Sequence, residues 1–100
     1  MLRTLIQTLT ALRRLFAPTL FEIEIQGDTV RVRHGEAPGG IVSEFADAAR
    51  DFEIRRGTIR GVRTGHGVTL AFSREIPAES HQRFRNILAL YRDRIRGPNG

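Results

Sequence analysis

The stretch Gly57–Leu88, GTIRGVRTGHGVTLAFSREIPAESHQRFRNIL, most narrows what this chain can fold into. It runs from an alternating segment through a glycine-rich turn into a second alternating segment, then through a proline-marked turn into a helical period. Thr58–Arg63 and Val68–Ser73 flank TGHG, whose residues suit a tight reversal. Pairing across that turn sets Val68, Leu70 and Phe72 on a buried face, opposite Arg63, Gly61 and Ile59. A glycine facing Leu70 inside a strand signals close packing or a bend. The other face holds Thr58, Arg60, Val62, Thr69, Ala71 and Ser73. Ile76-Pro77 opens a helix, with proline in its first turn. Phe84, Ile87, Leu88, Tyr91 and Ile95 form its buried stripe, and Gly97-Pro98 ends it.

The first half repeats this plan with different residues. Phe21, Ile23 and Ile25 alternate with Glu22, Glu24 and Gln26, and Gly27-Asp28 is a two-residue hairpin turn. That turn predicts Ile25 opposite Val30, Glu24 opposite Arg31, Ile23 opposite Val32 and Glu22 opposite Arg33. Opposite-charge cross-strand pairs of this kind stabilise a solvated sheet face by a few tenths to ~1 kcal/mol each. After the loop Gly35–Gly40, a helix follows with Ile41, Val42, Phe45, Ala48, Ala49 and Phe52 on one stripe and Glu44, Asp47 and Asp51 on the other side. Gly39-Gly40 lacks the lysine or glycine spacing of a phosphate-binding loop and reads as a connection.

The expected fold is therefore α+β. An amphipathic N-terminal helix (1–18) precedes a ββαββα domain (19–96) and a short tail (97–100). The domain is expected to form a four-stranded antiparallel sheet with the helices packed on one face. One hundred residues, 40% of them hydrophobic and 27% charged, suit one such domain. The chain has no cysteine, which excludes disulfides, thiolate metal sites and a cysteine nucleophile.

Charge is distributed unevenly. All 16 basic residues are arginine, and the formal net charge is +5. Residues 1–20 carry three arginines and no acid, residues 21–54 three arginines against eight acids, and residues 55–100 ten arginines against three acids. Such asymmetry points to an anionic partner for the basic half or to self-association through opposite faces. Within residues 1–18, Leu2, Leu5, Ile6, Leu9, Leu12, Leu15 and Phe16 recur at helical spacing until Pro18. The run between Arg3 and Arg13 falls well short of the ~20 residues of a membrane span. Three readings stay open for it: packing on the domain or on a second copy, lying on an anionic membrane surface, or serving as a transit peptide.

The run IRGVRTGHGVTLAFSREIP, followed by HQRFRNIL, resembles a family of small uncharacterised bacterial proteins classed as a domain of unknown function. The similarity covers roughly residues 20–90, with Gly57–Asn86 its most specific part. Members often begin with a hydrophobic membrane segment before the first strand; here Arg3, Arg13 and Arg14 interrupt it. The resemblance implies no activity and no functional residues.

No catalytic constellation stands out. His34, His66 and His81 lack ligand spacing, and Ser43, Ser73 and Ser80 have no base at a known motif spacing. The phenylalanines fall on apolar faces and read as core, not as stacking platforms. The chain is accordingly expected to be a non-enzymatic binding module without metal or cofactor. Arg55, Arg56, Arg60, Arg63, His66, Arg74, Arg83 and Arg85 are the candidate contacts to an anionic ligand such as nucleic acid. Leu2, Leu5, Leu9, Leu12 and Phe16 are the candidates for a protein partner, a second copy or a membrane surface. A cytoplasmic location, at the membrane surface in the second case, is expected, since the absence of cysteine fits a reducing compartment.

Overall fold

The structure, a computed structural model, describes residues 18–65 and 67–95. The helix expected over 1–18, His66 and the tail 97–100 lie outside the described residues, apart from Pro18. The elements run β1 (Thr19–Gln26), β2 (Thr29–Gly35), α1 (Gly39–Asp51), β3 (Arg56–Thr64), β4 (Gly67–Phe72) and α2 (His81–Tyr91). Short 3-10 turns at Ala78–Ser80 and Arg92–Arg94 bracket α2.

The four strands form one antiparallel sheet in the order β2-β1-β3-β4. The two hairpins are thus joined through their first strands, and their second strands form the edges. Phe21, Ile23, Ile25 and Ile59 are buried beneath Ile41, Phe45 and Ala48 of α1 and Phe84 and Leu88 of α2. Phe45 and Phe84 meet edge to face at 5.0 Å, which locks the helices to each other over the sheet. The opposite sheet face is covered by no described element.

The β3–β4 hairpin has the expected register, with Ile59 opposite Phe72, Gly61 opposite Leu70 and Arg63 opposite Val68. The close packing implied by Gly61 comes from a different neighbour. Gly61 also faces Phe21 across β1, and the Phe21 ring occupies the space a Cβ would need.

The β1–β2 hairpin departs from expectation at one pair. Ile25–Val30, Glu24–Arg31 and Ile23–Val32 pair as predicted, but a bulge sets Glu22 opposite His34 instead of Arg33. The extra residue is Arg33, whose guanidinium reaches Glu24 at 3.2 Å and Glu22 at 3.8 Å. Beyond it Gly35 takes a φ of +73°, and a side chain there would strike the Leu20 carbonyl. Glycine lets the strand close against β1 after the bulge.

Helix α1 ends in a Schellman motif. The Ile54 N–H donates to the Ala49 carbonyl at 2.8 Å and the Glu53 N–H to that of Arg50 at 3.1 Å. Glu53 holds the left-handed position, at φ +55°. Glu44 departs from the solvated side expected of it. It is half-buried, with one carboxylate oxygen enclosed, and it lies beside the Tyr91 hydroxyl, whose pKa it raises. Gly40 gives that tyrosine room, because a Cβ there would meet its hydroxyl.

Candidate anion-binding end of the domain

The arginines expected to form one contact surface are dealt out to different places. Strand alternation sends Arg56 and Arg60 to the open sheet face and Arg63 to the helix side. Arg83, on α2, donates to Asp51 of α1 at 2.9 Å and ties the two helices together. Arg85 lies over the Phe72 ring at 5.8 Å, where the His81 ring is also stacked, 3.8 Å between centroids. The Nε2 atom of His81 is 3.1 Å from the Ile76 carbonyl, as befits a half-buried structural histidine. Arg55 reaches Asp28 at 3.5 Å near the first hairpin turn. Arg74 is exposed in the turn after β4.

The open sheet face carries arginine and acid together. Arg31 and Arg33 pair with Glu24 at 3.3 and 3.2 Å, and Arg60 stands directly across from Glu22. At one end of this face Arg56 and Glu75 line the same shallow hollow. The Glu75 carboxyl is held below its usual pKa, first by a hydrogen bond with Ser73, with Arg56 and Arg74 adding smaller electrostatic contributions. Exposed pairs of this kind stabilise the fold weakly, but they set acids among the arginines of the face.

The other end of the sheet is built differently. A bulge between Thr19 and Phe21 inserts Leu20 into β1 where it meets β3, and Leu20 packs against the core. Beside it β3 closes with Arg63 on the helix side, and α2 gives way to the turn carrying Arg92. Leu20, Arg63, Val68, Arg92, Ile95 and Gly67 line a cavity of about 200 Å³ between the sheet end and the helix end. Among the described residues two arginines and no acid border it. The Nη1 atom of Arg63 is enclosed and makes no hydrogen bond. A buried donor left unpaired costs about 1–3 kcal/mol, and more when charged. The Arg63 backbone N–H donates to the Pro18 carbonyl at 3.0 Å, so the first described residue is anchored at this end.

Arg92 was absent from the sequence-derived contact set, because arginines in a last helical turn suit the helix dipole by themselves. Arg63 carried a readable signal: the alternation through Ile59 and Gly61 already placed an arginine on the buried face. Among the described residues no cluster of histidine and acidic side chains could hold a metal ion, and no helix is long and apolar enough to cross a membrane.

The chain belongs to the family described as "Protein of unknown function (DUF3634)", whose model matches residues 4–96. The match takes in most of the amphipathic segment as well as the ββαββα domain. No curated protein and no solved structure matches the chain.

Proposed function

We propose that this protein is a non-enzymatic binding module that docks on an anionic membrane surface. Its contacts are Leu2, Leu5, Leu9, Leu12 and Phe16 of the N-terminal segment together with the arginine-lined end of the domain. One observation carries the reading: Arg63 and Arg92 border a partly apolar cavity at the end where Pro18, which follows an acid-free, amphipathic stretch of sequence, is anchored. Apolar side chains entering the headgroup region and arginines pairing with anionic lipid are complementary contributions, the second worth ~1 kcal/mol per basic residue near the surface.

A second reading, nucleic-acid binding, draws on Arg56 and Arg60 of the open sheet face. The neighbouring Glu22, Glu24 and Glu75 oppose it, since acids placed among arginines lower the counterion release that drives such binding.

Co-sedimentation of the full chain with vesicles separates the two. The membrane reading expects binding to phosphatidylcholine vesicles containing anionic lipid, weak binding to phosphatidylcholine alone, and partial persistence in high salt. Absence of binding to either vesicle, with salt-sensitive binding of single-stranded RNA or duplex DNA instead, would overturn it and move the function to the sheet face.

A further inference from the structure

We infer that the Arg63–Arg92 cavity is a site for one phosphomonoester group bearing an apolar tail; the inference rests on the membrane-surface reading and gives it a specific ligand. Arg63 and Arg92 both line the cavity and neither has an ion-pair partner among the described residues, so their guanidinium groups keep donors to offer an acceptor placed between them. No acid among the described residues lines the cavity to supply one.

The charge and the oxygens fit. Two guanidinium groups match a phosphomonoester, which carries ~1.5–2 negative charges at neutral pH and three terminal acceptor oxygens. A carboxylate offers two oxygens, which a single arginine fork already satisfies. The size fits as well. At about 200 Å³ the cavity is smaller than the ~300 Å³ at the low end of ligand pockets, so it admits a headgroup and not a whole lipid. Leu20, Val68 and Ile95 complete the lining, and they favour a phosphate whose ester carbon continues into an acyl chain. The ligand class is therefore an anionic lipid with a terminal phosphate, of which phosphatidic acid is the simplest.

Arg94 provides an internal control. It lies in the same 3-10 turn as Arg92 but lines a separate hollow with Glu36, Ala37 and Pro38. A diffuse electrostatic attraction to a membrane would treat Arg92 and Arg94 alike, whereas a headgroup site would not.

The test is a titration of the full chain, followed through the arginine Nε–Hε resonances. The probes are dihexanoyl phosphatidic acid, dihexanoyl phosphatidylglycerol and inorganic phosphate. The site predicts saturable shifts at Arg63 and Arg92 with phosphatidic acid, and binding at least tenfold weaker for phosphatidylglycerol and for phosphate alone. Arg63→Gln and Arg92→Gln should each weaken phosphatidic acid binding at least tenfold, and Arg94→Gln less than twofold. Arg92→Gln, on an exposed turn, keeps the test valid should Arg63→Gln fail to fold. Inorganic phosphate binding as tightly as the lipid would overturn the lipid assignment. Equal losses from Arg92→Gln and Arg94→Gln would overturn the site itself. If vesicle sedimentation persists in all three variants, the membrane reading stands without the site. If phosphatidic acid shifts Arg63 and Arg92 but no vesicle is bound, the site stands and the docking reading falls.

Discussion

The open sheet face and the far end of the sheet are both rich in arginine, but acids stand among the arginines of the first and, among the described residues, not of the second. On the face, Glu22 and Glu24 in the central strand β1 are flanked by Arg31 and Arg33 on one side and Arg60 on the other. At the end, Arg63 and Arg92 border a cavity with Leu20, Val68 and Ile95 and, among the described residues, no acid. The same residue type thus serves to solvate a sheet in one place and to present unspent hydrogen-bond donors in another. Counting arginines along the chain cannot separate the two, because the separation depends on which strand lies beside which.

The frame that keeps them apart can be broken at Gly61. Its missing side chain lets the Phe21 ring lie across β3, with Arg60 outward and Arg63 inward. Gly61→Ala should cost about 1–3 kcal/mol through overpacking, seen as a lower midpoint in urea denaturation. An unchanged midpoint would mean that the ring has room to move aside.

The sheet face can also be converted into what it is not. Glu22→Gln with Glu24→Gln frees Arg31 and Arg33 from their ion pairs and removes the acid across from Arg60, while leaving the strand pairing intact. Affinity for single-stranded RNA at low salt should rise by about tenfold, and the salt dependence should steepen by roughly two charges. Fluorescence anisotropy at two salt concentrations reads both. No gain would show that something other than these acids keeps the face inert.

Much of this frame was legible in the residues. The alternation through Phe21, Ile23 and Ile25 and through Val68, Leu70 and Phe72 fixed which faces are buried, and both tight turns set most of the register. The strand order β2-β1-β3-β4 was not legible, because pairing between hairpins depends on contacts far apart in sequence. Nor were the two bulges. Arg33 becomes an extra residue only because Gly35 can take a positive φ against Leu20, and Leu20 becomes one only where β1 meets β3. The candidate site inherits that limit: Arg63 was placed on the apolar face by simple alternation, whereas Leu20 and Arg92 arrive through a bulge and a change of helix type.

Smaller changes sharpen the contrast by touching neither region's chemistry. Glu53→Gly relieves a side chain in the left-handed cap of α1 and should stabilise the fold by ~0.5–1 kcal/mol, the left-handed penalty less the entropy cost of glycine. Thermal denaturation would register it as a modest rise. Arg83→Gln breaks the exposed link to Asp51 and should cost at most about 1 kcal/mol, with no change in vesicle binding. Any loss of vesicle binding in that variant would place α2's outer surface in the interface. The smallest effect concerns pH. Because folding lowers the Glu75 pKa, its contribution is present above the ordinary glutamate pKa and is lost as pH falls through the lowered folded value. Glu75→Gln should therefore reduce stability slightly near neutral pH and shrink the loss on acidification. An acid unfolding profile identical to that of the parent chain would count against this.

The most direct measurement sets the two arginine environments side by side in one assay. Full chains carrying Arg63→Gln/Arg92→Gln or Arg31→Gln/Arg33→Gln would be compared for sedimentation with vesicles containing phosphatidic acid. The account predicts at least a tenfold loss of affinity in the first and less than a twofold change in the second. Equal losses, or a larger loss from the sheet-face pair, would contradict it.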